Sequence, residues 1–234
     1  MSGIVGIMGG TFNPVHNGHI AIAKAAHEQF NIPHILVMPS YSPAYKDNSN
    51  IVSATHRCNM VSLAIKDYDY MELSTLEIER GGRTYPADTL KLLKDDYDKI
   101  YFIIGADSLF TLNTWYKPDY ICANCHILTA NRDEHPLDEL IKRRDWLIDK
   151  YNAHIDLISC DDYPFSSTFI RDEAAAGHNI SPFVGNAVAG YIADNGLYNK
   201  KFCCKMVIYK YKYIYIYISM HSKPFNYFTS LLVY

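Results

Sequence analysis

Two histidines three positions apart, His16 and His19, close the stretch "GGTFNPVHNGH" that runs from Gly9 to His19. It follows the apolar run "GIVGIM" and leads into "IAIAKAAHEQF", whose pattern is helical. A glycine-rich turn between a strand end and a helix start gathers backbone N–H groups at one point, with the positive end of the helix dipole behind them, and so favours a phosphate. Gly9 and Gly10 allow that close approach. At their spacing the two imidazoles can face one side, toward a bound anion, and donate to phosphoryl oxygens as negative charge is redistributed in transfer. An isolated pair reads more readily as a helix cap and a packing residue, so the surroundings must decide.

A second cluster of this kind lies at "SSTFIR", beginning at Ser166. Ser and Thr can cap the free N–H groups of a helix start, and the fork of Arg171 suits phosphate oxygens. By itself the segment is equally a capped amphipathic helix. "CANCH", Cys122 to His126, has the spacing of a c-type haem attachment site. Against it, Cys125 and His126 begin "CHILTA", which reads as a buried strand. "NIS" at Asn179 has the form of a glycosylation acceptor, meaningful only in a secreted chain.

The whole chain narrows the choice. Its 234 residues, 49% hydrophobic and 20% charged, have the composition of a soluble globular protein. A net charge of −3 offers no basic face for nucleic acid, while leaving room for a local cationic pocket. The start "MSGIVGIMGG" carries no Lys or Arg before its short apolar run, and no run reaches the ~18 apolar residues of a membrane span, so the expected location is the cytoplasm and no membrane partner is expected. The six cysteines are then expected to be reduced thiols.

Positioning must come from alternating elements. "GIVGIM", "HILVMP", "KIYFIIG", "CHILTA" and "HIDLIS" read as strands covered on both faces, and "GHIAIAKAAHEQF", "SATHRCNMVSLAIKD", "PADTLKLLKDD" and "PLDELIKRRDWLIDKY" as helices between them. This alternation predicts an α/β fold with a doubly wound parallel sheet, whose ligands sit beyond the carboxyl ends of the strands. Ser53 is placed to cap one helix, Pro86 to occupy a first turn, and Gly196 to end the last helix in a left-handed conformation. A single domain is expected over residues 1–201. Residues 202–234 lack Asp and Glu and carry the alternation "YKYKYIYIYI". They read as an idiosyncratic extension, of the composition that AT-rich codons encode, and less readily as an added sheet edge or oligomer contact.

With these segments in view, the chain closely resembles the nicotinate-nucleotide adenylyltransferases, of the HxGH nucleotidyltransferase superfamily that includes the class I aminoacyl-tRNA synthetases. "GGTFNPVHNGH" matches their GGTFxPxHxGH, and the likeness recurs in order at "SPAYK", "HRCNMVSLAI", "TYPADTL", "IIGADSL", "WYK", "SSTFIR" and "YIADNGLY", covering about Met1 to Lys200. The resemblance implies a Rossmann-like nucleotidyltransferase fold. It implies that His16, His19 and the turn Gly9, Gly10, Thr11 and Phe12 hold the ATP phosphates, with Lys46 as a point charge and Ser167, Thr168 and Arg171 as a second clamp. Gly105 and Asp107 would meet the adenosine ribose, a carboxylate being a natural acceptor for its hydroxyls. Trp115 would stack on the pyridine ring, with Thr84 and Tyr85 bordering it.

The implied reaction is attack of the 5′-phosphate of nicotinic acid mononucleotide on the α-phosphorus of ATP, releasing pyrophosphate and giving deamido-NAD for NAD biosynthesis. Mg²⁺ would arrive with ATP, with no protein metal ligands required. Nicotinamide mononucleotide or 4′-phosphopantetheine are the rival acceptors. A nucleotide-binding sensor without turnover and a haem carrier are readings from other classes, and a homo-oligomer stays open. One residue departs from the pattern: nicotinate-specific relatives commonly read SYTxDT where this chain has "TYPADT", and Pro86 has no N–H to offer a carboxylate.

Overall fold

The computed structural model describes residues 3–43, 50–130, 136–160 and 163–199, so the extension at 202–234 and Lys46 lie outside the described residues. The chain opens with strand β1 (Ile4–Gly10), passes through the glycine turn into helix α1 (Asn17–Phe30), and returns in β2 (Ile35–Pro39). A two-residue strand β3 (Ser42–Pro43) precedes α2 (Ala54–Ile65), β4 (Met71–Leu73), α3 (Leu76–Arg80), a second two-residue strand β5 (Arg83–Thr84) and α4 (Pro86–Leu93). Then come β6 (Lys99–Gly105), α5 (Ala106–Thr111) with a 3₁₀ turn (Leu112–Thr114), α6 (Pro118–Asn124), β7 (His126–Ala130), α7 (Leu137–Tyr151) and β8 (His154–Ile158). Helices α8 (Ser167–Ala175), α9 (Ser181–Val184) and α10 (Asn186–Asp194) end the described chain.

The main sheet has the order β4-β2-β1-β6-β7-β8, and each neighbouring pair is parallel. Consecutive strand residues point to opposite faces, so the longer strands feed two cores, while the short edge strand β4 feeds one. Met8, Val37, Ile103 and Leu128 lie in one, beneath α1, α2, α8, α9 and α10. Ile7, Leu36, Phe102 and Ile127 lie in the other, beneath α4, α5, α6 and α7. That two-sided burial is why the strands read as nearly continuous apolar runs. Winding proceeds outward from β1 through β2 to β4, then restarts at β6 on the other side of β1. The order therefore reverses between β1 and β6, where a doubly wound sheet opens a crevice at its carboxyl edge.

The predicted caps are present. Ser53 Oγ accepts from the His56 N–H at 3.3 Å, and Pro86 is the first residue of α4. Gly196, with φ +57°, follows α10, and its N–H and that of Leu197 return to the carbonyls of Ala193 and Ile192, closing the helix end. The elements not predicted are short: β4, the β3–β5 pair, α3, α5, α6 and α9 lack the length in which a period shows.

Candidate active site

The turn after β1 is held by its carbonyls. Gly10 accepts from the Ser40 N–H (2.9 Å), Thr11 from Arg57 (2.9 Å), Asn13 from Arg171 (2.8 Å) and Pro14 from the Ser167 hydroxyl (2.9 Å). The Asn13–Pro14 peptide is cis. The Asn13 side chain ties the turn further: Oδ1 accepts from the Val52 N–H (3.2 Å) and the Tyr198 hydroxyl (2.9 Å), and Nδ2 donates to the Asn50 carbonyl (3.0 Å). The result is a turn fastened from β2, α2, α8 and the segment after α10.

His16 and His19 meet as their spacing predicts, with ring centroids 3.8 Å apart. His16 is the N-cap residue of α1, and its backbone N–H donates to Nδ1 of His19 at 3.2 Å. The imidazole of His19 also touches the edge of Phe12 (5.1 Å), and that of His16 the edge of Phe165 (5.6 Å). The Phe12 side chain is buried in the core, so only its backbone is available to a nucleotide. Gly18 explains itself sterically: a Cβ there would lie 3.1 Å from the His16 ring and 3.3 Å from Tyr163, so a larger residue has to push the His16 ring aside by a few tenths of an ångström. At Gly10 a Cβ would come within 2.8 Å of the Phe12 ring, whereas at Gly9 it would meet nothing nearer than 4.0 Å.

The second cluster docks on the same turn. Ser166 caps α8 by accepting from the Phe169 N–H (3.2 Å), which leaves Ser167 for Pro14 and Arg171 for Asn13; Arg171 also donates to Thr168 Oγ1 at 3.1 Å. His16, His19, Ser167, Thr168 and Arg171 are therefore brought together. Gly105 ends β6 beside β1, and Asp107 stands in the first turn of α5, a position favourable to a carboxylate.

Thr84, Tyr85 and Trp115 belong to a separate region beyond β2. Thr84 is buried, and its hydroxyl accepts from the Tyr41 N–H at 3.2 Å, beside the parallel pairing of β3 with β5. Tyr85 is the N-cap residue of α4. Trp115 is half-buried and ends the 3₁₀ turn, not a strand. Its neighbour Tyr116, exposed, lies 5.1 Å from the Tyr85 ring and draws the "WYK" and "TYPADT" segments together. Beneath them Glu77 is buried in α3; the Thr89 hydroxyl donates to it at 2.6 Å, and burial pushes its carboxyl up to about 7, opposed by Thr89 and Arg80.

Arg57 was not singled out by sequence reasoning. The guanidinium is 1% exposed and donates to the carbonyls of Val52 (3.2 Å), Thr11 (2.9 Å) and Tyr41 (3.2 Å). The signal was present: Arg57 stands three and four positions before the buried Met60 and Val61, on the inner face of α2. The haem reading of "CANCH" is overturned by packing. Cys122 and Cys125 fill the core under β6 and β7, where burial pushes the Cys122 thiol up to about 11 and raises that of Cys125 as well. His126 Nε2 lies 2.7 Å from Asp156 Oδ2.

Among known proteins, the family described as Cytidylyltransferase-like matches residues 7–173. The chain is 40% identical over 196 residues to the probable nicotinate-nucleotide adenylyltransferase of Lachnoclostridium phytofermentans, an alignment covering 83% of this chain and 98% of that one. It is 32% identical over 196 residues to the probable nicotinate-nucleotide adenylyltransferase of Clostridium botulinum, covering 84% and 98%. In structure it is similar to the Plasmodium falciparum nicotinic acid mononucleotide adenylyltransferase complexed with NaAD, with a TM-score of 0.66 at 19% identity over 84% of this chain and 97% of that one, a likeness of fold. With the parallel sheet as expected, and relatives matched over nearly their whole length, the chain belongs to the nicotinate-nucleotide adenylyltransferase family.

Proposed function

We propose that the protein transfers the AMP moiety of ATP to nicotinic acid mononucleotide, forming deamido-NAD and pyrophosphate, in the cytoplasm. The observation that carries this reading is the docking of Arg171 and Ser167 onto the carbonyls of Asn13 and Pro14, which sets two groups of phosphate donors on one turn. An oxygen of the mononucleotide 5′-phosphate attacks the α-phosphorus; a new P–O bond forms as the bond to the bridging oxygen breaks, and pyrophosphate leaves with the electron pair. The attacking phosphate is largely dianionic at neutral pH, so no protein base is needed. The protein aligns two repelling anions and offers donors placed in advance.

His19 acts through Nε2. Its Nδ1 accepts from the His16 N–H, so the neutral ring carries its proton on the opposite nitrogen, where it can donate to a phosphoryl oxygen. Arg171 and Thr168 hold the triphosphate from the α8 side, with Lys46 as a further point charge. The amino end of α5 receives the ribose at Gly105 and Asp107, and the Tyr85–Trp115 region receives the pyridine. The groups around the turn are imidazole, hydroxyl, guanidinium and backbone N–H, which suit phosphate oxygens; Mg²⁺ bound to ATP would take phosphate and water ligands and neutralise charge on the leaving pyrophosphate. Among the described residues no helix is long and apolar enough to cross a membrane.

The test is pyrophosphate release on mixing the protein and ATP with nicotinic acid mononucleotide, nicotinamide mononucleotide or 4′-phosphopantetheine, with the dinucleotide identified by mass. Release with nicotinic acid mononucleotide is expected. Release with none of the three would identify a nucleotide-binding protein without turnover.

A further inference from the structure

Arg57 is the largest fully buried side chain in the described protein, and it is a cation. Its donors go to three carbonyls from three segments: Thr11 in the phosphate turn, Tyr41 beyond β2, and Val52 on the approach to α2. These bonds offset the cost of burying the donors, but carbonyls do not cancel a unit charge, and guanidinium stays protonated. Among the described residues no carboxylate forms an ion pair with it. A charge in that setting acts over several ångströms with little screening.

The bond to Thr11 has a directional consequence. Across a trans peptide the carbonyl of one residue and the N–H of the next point opposite ways. Arg57 holds the Thr11 carbonyl, so the Phe12 N–H is turned away from Arg57; Ser40, on the Gly10 carbonyl, does the same for the Thr11 N–H. This gives Phe12, whose side chain is buried, a means of meeting a phosphate through its backbone. Val52 extends the link, since its carbonyl accepts from Arg57 while its N–H donates to Asn13, which Arg171 also holds.

We propose that Arg57 is a positioning residue for the triphosphate: it sets the Thr11–Phe12 peptide with its N–H turned to the nucleotide, and its buried charge adds to the field there. This deepens the adenylyl-transfer reading and rests on it for the identity of the anion. The experiment measures dissociation constants of wild type, Arg57→Lys and Arg57→Met for ATP, pyrophosphate and adenosine, well below each melting temperature. Arg57→Met is expected to weaken ATP and pyrophosphate by ~10-fold or more, the scale of losing bonds to a charged group, and adenosine by less than about twofold. Arg57→Lys, which keeps the charge but not the fork, falls between wild type and Arg57→Met. Equal losses for all three ligands, or none for pyrophosphate, would overturn the proposal, because a merely structural role lowers the melting temperature without favouring phosphate-bearing ligands.

Should Arg57→Met fail to fold, the ¹⁵Nε–H signal of Arg57 in the wild type, assigned through its contact with Val52, takes its place. It should shift on adding pyrophosphate and stay still with adenosine; an unmoved signal overturns the proposal. Wild-type protein that binds pyrophosphate in this way but makes no dinucleotide would refute the enzymatic reading alone.

Discussion

The backbone N–H of His16 donates to Nδ1 of His19 across 3.2 Å. One bond thus both caps α1 and, in the neutral ring, places the proton on Nε2. His19→Ala is expected to lower turnover by ~10²-fold or more, the scale of one lost transition-state donor, while ATP affinity changes less. Steady-state kinetics decide it, and near-normal turnover would remove His19 from the chemistry.

Arg171 spans two acceptors, the Asn13 carbonyl and Thr168 Oγ1, while presenting a planar cation. A lysine ammonium cannot reproduce that fork, so Arg171→Lys is expected to cost ~10-fold or more in kcat/KM for ATP. An unchanged kcat/KM for ATP would place Arg171 among surface residues.

Glu77 predicts a pH dependence of stability. Burial pushes its carboxyl from 4.5 to about 7, so between those values the native state keeps a proton that the unfolded chain has lost. The contribution of this group is therefore full below 4.5, falls by roughly 3 kcal/mol as pH rises to about 7, and is level above. Glu77→Gln removes the decline and should be the more stable protein at pH 8. Urea unfolding at pH 5 and pH 8 measures it; parallel pH profiles for the two proteins would show that Glu77 titrates normally.

Pro86 bears on which mononucleotide is preferred. It occupies the first position of α4 and brings no N–H, and a bond to a charged group is worth ~1.5–3 kcal/mol. The helix start still favours a carboxylate over a neutral amide. Nicotinic acid mononucleotide is expected to be preferred, by less than in relatives with SYTxDT. Comparing kcat/KM for the two mononucleotides tests this, and an advantage for nicotinamide mononucleotide would reject it while leaving adenylyl transfer intact.

Truncation after Lys201 is expected to leave activity and melting temperature unchanged. The compact unit that contains every described residue ends at Asn199, so the cut spares Tyr198 and its bond to the turn. Loss of soluble, active protein would assign the extension a structural part.

The sheet was legible because β1, β2, β6 and β7 are buried on both faces, which writes an apolar run into the sequence, while the edge strand β8 still buries Ile155 and Ile158. The glycine turn after β1 was legible because its glycines and histidines are adjacent in the chain. What joins it to the rest was not. Asn13 meets Val52 and Tyr198 at separations of 39 and 185 residues, and Arg57 reaches Thr11 across 46. Such bonds leave no periodic trace. Between β6 and Trp115 the chain inserts α5 and a 3₁₀ turn, each too short to announce itself.

The bond from the Tyr198 hydroxyl to Asn13 also sets an order in time. A ribosome delivers the turn after β1 well before Ser167 and Arg171, and these before Tyr198. Throughout most of synthesis the nascent chain therefore carries its histidine pair on a turn that its later fastenings have not reached. Completion of the domain and fastening of the turn are one event, and a chain cut short before α8 leaves the ribosome without the bonds of Ser167 and Arg171 to it.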